Sequence, residues 1–289
     1  TNMFRSNNSG ETWTKQPILS DLNEPREALV VKMWDDKRGV MCTSYFNSQE
    51  SKKTIMITED GGETWQLKVY GLNSVSNVAI DDGGIAWVSG GRYLKYYFKT
   101  TDYGNTWEKV NYNLENALVD FNYVSGDTII AKAIKEQAAG VITTFIYKSV
   151  NNGNTWNLMT LPPNVDEFEF INSKKGVCLV HNGSFLTTID GGENWMPTGI
   201  NQKIVSFNIS GEKNGSFRND IGQNYITNDF FKTYQPIACG LKTIGLPQIL
   251  NDTSLLFLLS NSSPTNFVRI AKSTNYQTNT CNSRLDNDG

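Results

Sequence analysis

One eight-residue pattern, Thr-x-Asp-x-Gly-x-Thr-Trp, recurs along the chain and restricts its fold more than any other feature. The fullest copy is residues 58–65, Thr58-Glu59-Asp60-Gly61-Gly62-Glu63-Thr64-Trp65. The pattern returns at 100–107, with Asp102 and Trp107, and at 188–195, with Asp190 and Trp195. Copies at 6–13 and 149–156 carry Asn8 and Asn151 at the Asp position and end in Trp13 and Trp156. The five tryptophans lie 52, 42, 49 and 39 residues apart. A further 39 residues reaches Tyr234, which closes a degenerate copy at 227–234 without the glycine, and 46 more reaches Thr280, the end of an eroded copy at 273–280. Repeats of this length specify stacked copies of one supersecondary unit, each burying its apolar faces against its neighbours.

The text between copies is strand-like. Residues 28–34 and 40–46 are β-rich runs separated by the turn Asp35-Asp36-Lys37-Arg38-Gly39, residues 54–57 form a third run, and a fourth starts at Trp65. The next unit repeats this at 75–80, 85–89, 96–99 and 107–110. No apolar pattern of helical period appears, so helix content is expected to be minimal. Four antiparallel strands per unit, repeated, is the arithmetic of a β-propeller blade. The eight-residue copy then falls in the hairpin between the third and fourth strands. Its Asp or Asn accepts backbone N–H groups, its Gly supplies positive φ, and its Trp buries a large ring over the corner. Asp60, Trp65, Asp102, Trp107, Asn151, Trp156, Asp190 and Trp195 are therefore expected to build the fold and not to act on a ligand. The expected architecture is all-β: one propeller domain over residues 1–289, seven-bladed with an incomplete first blade, or alternatively six-bladed.

These copies resemble the Asp-box, or BNR, repeat of sialidases, sortilin-type receptors, some xyloglucan-degrading glycosidases and propellers similar to photosystem II assembly factors. The resemblance runs from residue 6 to residue 280. It implies the propeller fold and a secreted, periplasmic or cell-surface location. It leaves activity open, because one fold hosts unrelated functions. Sialidase activity, by the same resemblance, needs an arginine triad, a Tyr–Glu nucleophile pair, an Asp acid/base and an Arg-Ile-Pro motif. The chain has Arg5, Arg26, Arg38, Arg92, Arg218, Arg269 and Arg284, and only Phe4-Arg5-Ser6 approaches that motif. Sialidase chemistry is not expected.

Composition removes other classes. A net charge of −3 gives no electrostatic footprint for nucleic acid. No apolar run is long enough to span a bilayer as a helix. The four cysteines form no CxxC pair, and a single His181 rules out a His-rich metal site, so neither metal nor cofactor is expected. Cys42 and Cys178 lie in apolar runs and read as buried thiols. Cys239 and Cys281 each follow a copy of the repeat, and a disulfide between them is open.

In a blade whose innermost strand comes first, the first-to-second-strand turns share an end with the boxes. The second-to-third-strand loops share the other end, with the connections between blades, and that end faces the channel mouth. The acidic pairs Asp35-Asp36 and Asp81-Asp82 fall at the box end and read as solvated turns. At the mouth, Gly90-Gly91-Arg92-Tyr93-Leu94-Lys95-Tyr96-Tyr97 mixes cations with three tyrosines, which suits a protein hot spot or carbohydrate stacking. The candidate ligand-binding residues are Arg92, Tyr93, Lys95, Tyr96, Arg26, Glu27, Glu136, Asp166 and Asp220. The expected function is non-enzymatic binding of a protein or glycan through mouth loops. The alternative is a glycoside hydrolase using two of Asp21, Glu24, Glu27, Glu136, Asp166, Glu167 and Asp220, which requires carboxylates about 5–9 Å apart.

Overall fold

The computed structural model describes residues 3–6, 8, 12–16, 26–46, 51–72, 75, 77–89, 94–136, 142–237, 243–251, 254–260 and 268–273. Every regular element among them is a β-strand. β1 (Met3–Arg5) and β2 (Thr14–Gln16) form a two-stranded sheet. Five four-stranded antiparallel meanders follow. They are β3 (Arg26–Met33) with β4 (Gly39–Phe46), β5 (Ser51–Thr58) and β6 (Gln66–Leu72); β7 (Val78–Ile80) with β8 (Ala86–Ser89), β9 (Tyr96–Thr100) and β10 (Glu108–Asn111); and β11 (Ala117–Ser125) with β12 (Thr128–Glu136), β13 (Ile142–Ser149) and β14 (Asn157–Leu158). The last two are β15 (Val165–Phe170) with β16 (Gly176–Val180), β17 (Phe185–Thr188) and β18 (Met196–Pro197), then β19 (Ile204–Ser210) with β20 (Asn214–Asn219), β21 (Asn224–Thr227) and β22 (Gln235–Pro236). A three-stranded sheet of β23 (Thr243–Asn251), β24 (Ser254–Ser260) and β25 (Val268–Ser273) completes the described strands. They fall into two compact units, one of Thr1–Arg5 with Thr14–Thr160 and one of Ser6–Trp13 with Leu161–Gly289.

The repeated octapeptide forms the hairpin between strands three and four of every complete sheet. In residues 58–65 the Asp60 carboxylate accepts the Thr64 N–H at 2.9 Å, the Thr64 hydroxyl at 2.5 Å and the Thr58 hydroxyl at 2.7 Å. The Thr58 oxygen in turn accepts the Gly62 N–H at 2.8 Å. Thr100/Asp102, Thr188/Asp190 and Thr227/Asp229 repeat the arrangement. Asn151 keeps it with one bond reversed, its Nδ2 donating to the Thr155 oxygen at 2.8 Å while Oδ1 accepts the Thr155 N–H at 2.9 Å. Asn8 does the same with Thr12.

Two adjacent box residues, the fourth and the fifth, take the left-handed conformation, whereas the sequence pointed only to the glycine. Tyr103 and Gly104 have φ of 57° and 82°, and Phe230 and Phe231 have 60° and 62°. The fourth residue's N–H then locks the box onto the first turn of its own sheet. Gly61, Tyr103, Asn152, Gly191 and Phe230 donate to the carbonyls of Lys37, Gly84, Asp127, Lys174 and Lys213 at 2.7–3.0 Å. Turns and boxes thus share one end of each sheet. Asp35 and Asp81 close those turns, Asp35 accepting the Arg38 N–H at 2.6 Å and Asp81 the Ile85 N–H at 2.9 Å.

Strand alternation sends side chains to both faces of each sheet, and the faces of successive sheets make the cores. Val40, Cys42 and Ile55 meet Val78, Val88 and Phe98 in one core. Trp87 and Tyr97 meet Leu118, Phe121 and Ile129 in the next. In the second unit, Val177 and Phe185 meet Phe207, Phe217 and Phe231. Each fully buried side chain of this size stabilises by about 1.5–3 kcal/mol. Cations bind the sheets at the box end. The Arg38 guanidinium lies 3.4 Å above the Tyr103 ring, Lys99 Nζ donates to Asn152 Oδ1 at 2.8 Å, and Lys175 lies 5.8 Å from the Phe230 ring centre. Each reaches from one sheet to the fourth box residue of the next.

The expected burial of the box tryptophans holds in full only for Trp65, at 3% exposure. Trp107, Trp156 and Trp195 are half-buried, and Trp13 is exposed. Cys42 and Cys178 are buried free thiols. Cys239, Cys281 and the copy at 273–280 beyond Ser273 lie outside the described residues.

Candidate functional site

One irregularity recurs in the first strand of four of the five four-stranded sheets. The register slips between Ala28 and Val30, between Leu118 and Asp120, between Val165 and Glu167, and between Ile204 and Ser206. Each slip inserts one residue at the same height, opposite the fourth and fifth second-strand residues counted from the one paired with the first box residue (Gly39, Ile129, Gly176 and Gly215). A bulge here bends the strand and re-aims the side chain that follows. The following residues are Val30, Asp120, Glu167 and Ser206, paired with Cys42, Lys132, Leu179 and Arg218. Asn77 holds the same place in the second meander, where its carbonyl accepts the Ser89 N–H at 3.4 Å.

In the first unit two of these equivalent residues meet. Asn77 Nδ2 donates to Asp120 Oδ1 at 2.6 Å, and the Val78 N–H fixes the amide by donating to Asn77 Oδ1 at 2.8 Å. Asp120 is half-buried. Burial raises its pKa above the ordinary carboxylate value, opposed by the Asn77 hydrogen bond and by the charges of Lys132 and Lys32. A carboxylate held by one oxygen, with two ammonium groups acting on it, can accept a donor and favour an anion at one place. Sequence reading missed this cluster. Asp120 interrupts the apolar run Leu118-Val119-Phe121, and that interruption was the available signal. The bulge that re-aims it leaves no mark in composition.

The residues singled out in the sequence are placed as follows. Arg92 and Tyr93 lie outside the described residues. Arg26 and Glu27 open β3, paired with Tyr45 and Ser44, and Glu136 ends β12 opposite Ile142. Lys95 donates to the carbonyls of Leu114 and Glu115 at 2.9 and 2.5 Å. The Glu115 carboxylate takes Lys135. Burial lowers the Lys95 pKa, opposed by Glu115. Tyr96 is half-buried, with the Lys109 ammonium 3.9 Å over its ring. Tyr97 points to the opposite face, stacked on Tyr112 at 6.0 Å. In the second unit Asp166 is the bulged residue of β15 and faces His181 Nδ1 at 3.3 Å, both exposed. Asp220 is exposed in the β20–β21 turn, its N–H on the Lys203 carbonyl at 3.0 Å. The structure thus joins Lys95 to Glu115 and Lys135, and Asp166 to His181. Among the described residues no group of three or more His, Cys, Asp or Glu could hold a metal.

No protein-family model and no curated protein sequence matches the chain. Solved structures do. YCF48 bound to a D1 peptide superposes with a TM-score of 0.60 at 14% identity, over 88% of this chain and 80% of that one. YCF48 from Cyanidioschyzon merolae gives 0.58 at 15% identity, over 88% and 83%. A Hadza microbial sialidase, Hz136, is a looser match at 0.49 and 15% identity, over 84% and 64%. At these identities the likeness is one of fold, and the fold is the β-propeller.

Proposed function

We propose that this β-propeller is a non-enzymatic protein-binding module that takes an extended, acidic peptide segment at the bulge level of its first unit. The observation that carries the reading is the Asn77–Asp120 hydrogen bond, with Lys132 paired opposite Asp120 and the charges of Lys132 and Lys32 acting on it. The lysines attract a ligand carboxylate, and the second Asp120 oxygen accepts a ligand N–H. The similarly folded YCF48 has been solved with a D1 peptide, which supports a peptide ligand. The two described tyrosines of the 90–97 stretch favour peptide over glycan: Tyr97 is buried, and the Lys109 ammonium lies over the half-buried Tyr96 ring. At Asp120 itself a paired-carboxylate hydrolase gains no support, because the charges acting on it are those of Lys132 and Lys32. An extracytoplasmic location rests on the Asp-box resemblance. No helix among the described residues is long and apolar enough to cross a membrane.

The test is a panel of short acidic, neutral and basic peptides titrated by calorimetry against the chain and against Lys132→Ala and Asp120→Leu. Acidic peptides are expected to bind, and to lose roughly tenfold or more in affinity with either variant. Equal binding of basic peptides, or turnover of an aryl glycoside that Asp120→Asn abolishes, would refute the reading.

A further inference from the structure

Cations reach the fourth box residue of the following sheet at three places, and at one of them the two side chains are able to react. Arg38 meets the ring of Tyr103, and Lys175 the ring of Phe230, and neither ring carries a carbonyl. At the remaining place Lys99 Nζ donates to the Asn152 side-chain carbonyl oxygen at 2.8 Å. An amine, the nucleophile, thus stands one C=O bond away from an amide carbon, the electrophile. In the other described boxes the fourth residue is Gly61, Tyr103, Gly191 or Phe230, so this pairing of groups occurs once among them.

Both partners are held in place. Trp87, Lys99 and Glu108 pair across β8, β9 and β10 and so share one face of the second meander. Lys99 Nζ lies 5.2 Å from the ring centre of the fully buried Trp87, which excludes water on that side. Asn152 has a φ of 59°, and its N–H donates to the Asp127 carbonyl at 2.9 Å. The next residue, Gly153, packs directly on the second meander. A Cβ on it would meet the Trp87 ring at 2.6 Å and the Tyr97 hydroxyl at 2.7 Å. The Gly153 N–H is tied to Ser149 Oγ at 2.8 Å, which turns it from the competing attack on Asn152 that would give a succinimide. Two reactants fixed at contact react as one molecule, with a large gain in effective concentration. Burial lowers the Lys99 pKa and favours its free amine, and the opposing charges are those of Glu108 and Asp127.

We propose that Lys99 and Asn152 condense into an intramolecular isopeptide bond. Glu108, the cross-strand neighbour of Lys99, takes one proton from the ammonium. The freed amine attacks Asn152 Cγ. Glu108 then hands its proton to Nδ2 as the tetrahedral adduct collapses, ammonia leaves, and the attacking nitrogen sheds one of its two remaining protons to solvent. One Nζ–Cγ bond forms, one Cγ–Nδ2 bond breaks, and nothing is oxidised or reduced. The product staples the third strand of the second meander to the box of the third. Neither Asn77 nor Asp120 takes part.

The experiment is intact-mass spectrometry of the full chain, fresh and after incubation in warm, mildly alkaline buffer, followed by proteolysis and sequencing of the fragments. The expected result is a mass one ammonia below that of the sequence and a branched peptide joining Lys99 to Asn152. Lys99→Arg and Asn152→Gly should each keep the full mass. Glycine holds this position in the boxes at 58–65 and 188–195, so the second variant keeps the hairpin. Glu108→Gln should slow the loss of ammonia roughly a hundredfold. The proposal is overturned if the mass stays that of the sequence after incubation. It is equally overturned if the ammonia is still lost in Lys99→Arg, which marks a succinimide at Asn152-Gly153, or if Asn152 is deamidated with no branched peptide formed.

Discussion

Residue by residue, the boxes hold their acids in opposite ways to the inner strand. Burial pushes Asp60 up, but hydrogen bonds from the Thr64 hydroxyl and N–H, the Thr58 hydroxyl and the Glu63 N–H outweigh it and bring it from 3.8 to about 2. A depressed native pKa stabilises fully above 3.8, and the contribution is lost as pH falls toward 2. Asp60→Asn should flatten that acid limb and keep the hairpin, as Asn151 already does with its reversed bond to Thr155. Asp60→Ala should cost about 1–2 kcal/mol. Thermal melts from strong acid to neutrality check both. Asp120 runs the other way. Its native pKa is raised, so what the neutral form contributes is present in acid and lost as pH rises through that value. Asp120→Asn is therefore expected to raise Tm at neutral pH and to leave it unchanged in acid. Phe231 shows a different accommodation. A side chain on the box glycine Gly153 would meet Trp87 at 2.6 Å. In the second unit the residue equivalent to Trp87 is Val177, and the box carries Phe231 instead, 1% exposed at a φ of 62°. A large aromatic in this region is strained, and the core it fills compensates. Phe231→Gly should destabilise by about 2–4 kcal/mol in denaturant titrations, and adding Val177→Trp should recover part of the loss.

At the scale of the hairpin, the graded exposure of the tryptophans sets their worth. Trp65→Ala should cost about 3–5 kcal/mol, and Trp107→Ala, half-buried with its indole N–H on the Gly104 carbonyl at 2.9 Å, about 2 kcal/mol. Urea unfolding of the two variants side by side tests the order. The boxes were legible because their polar residues are local: Thr58, Asp60 and Thr64 bond within one turn, and so a short pattern records them. The strands were legible from their β-rich runs, with ends displaced by up to three residues, and Trp65 stands just before the strand it was expected to open. The cation contacts were not legible. Arg38 and Tyr103 meet only because successive sheets stack, and neither residue's immediate neighbours in sequence reveal the other. The same holds for Asp120 and Asn77, which lie 43 residues apart.

Within each unit successive meanders pack on one another, and in such arrays stability is close to a sum of local terms. Trp65→Ala and Phe231→Gly touch separate cores. Their costs should add within about 0.5 kcal/mol in the double variant. A larger discrepancy would mean that the two cores are energetically coupled. The recurring bulge has its own consequence at this scale. Because one inserted residue sits at the same height in four of the first strands, the chain repeats a single backbone address just after it and writes a different letter there each time: Val30, Asp120, Glu167 and Ser206, with Asn77 at the equivalent place. The scaffold around each letter is fixed by the box and turn at the far end of its sheet. Specificity in such a molecule can then be rewritten one letter at a time, without redrafting the page.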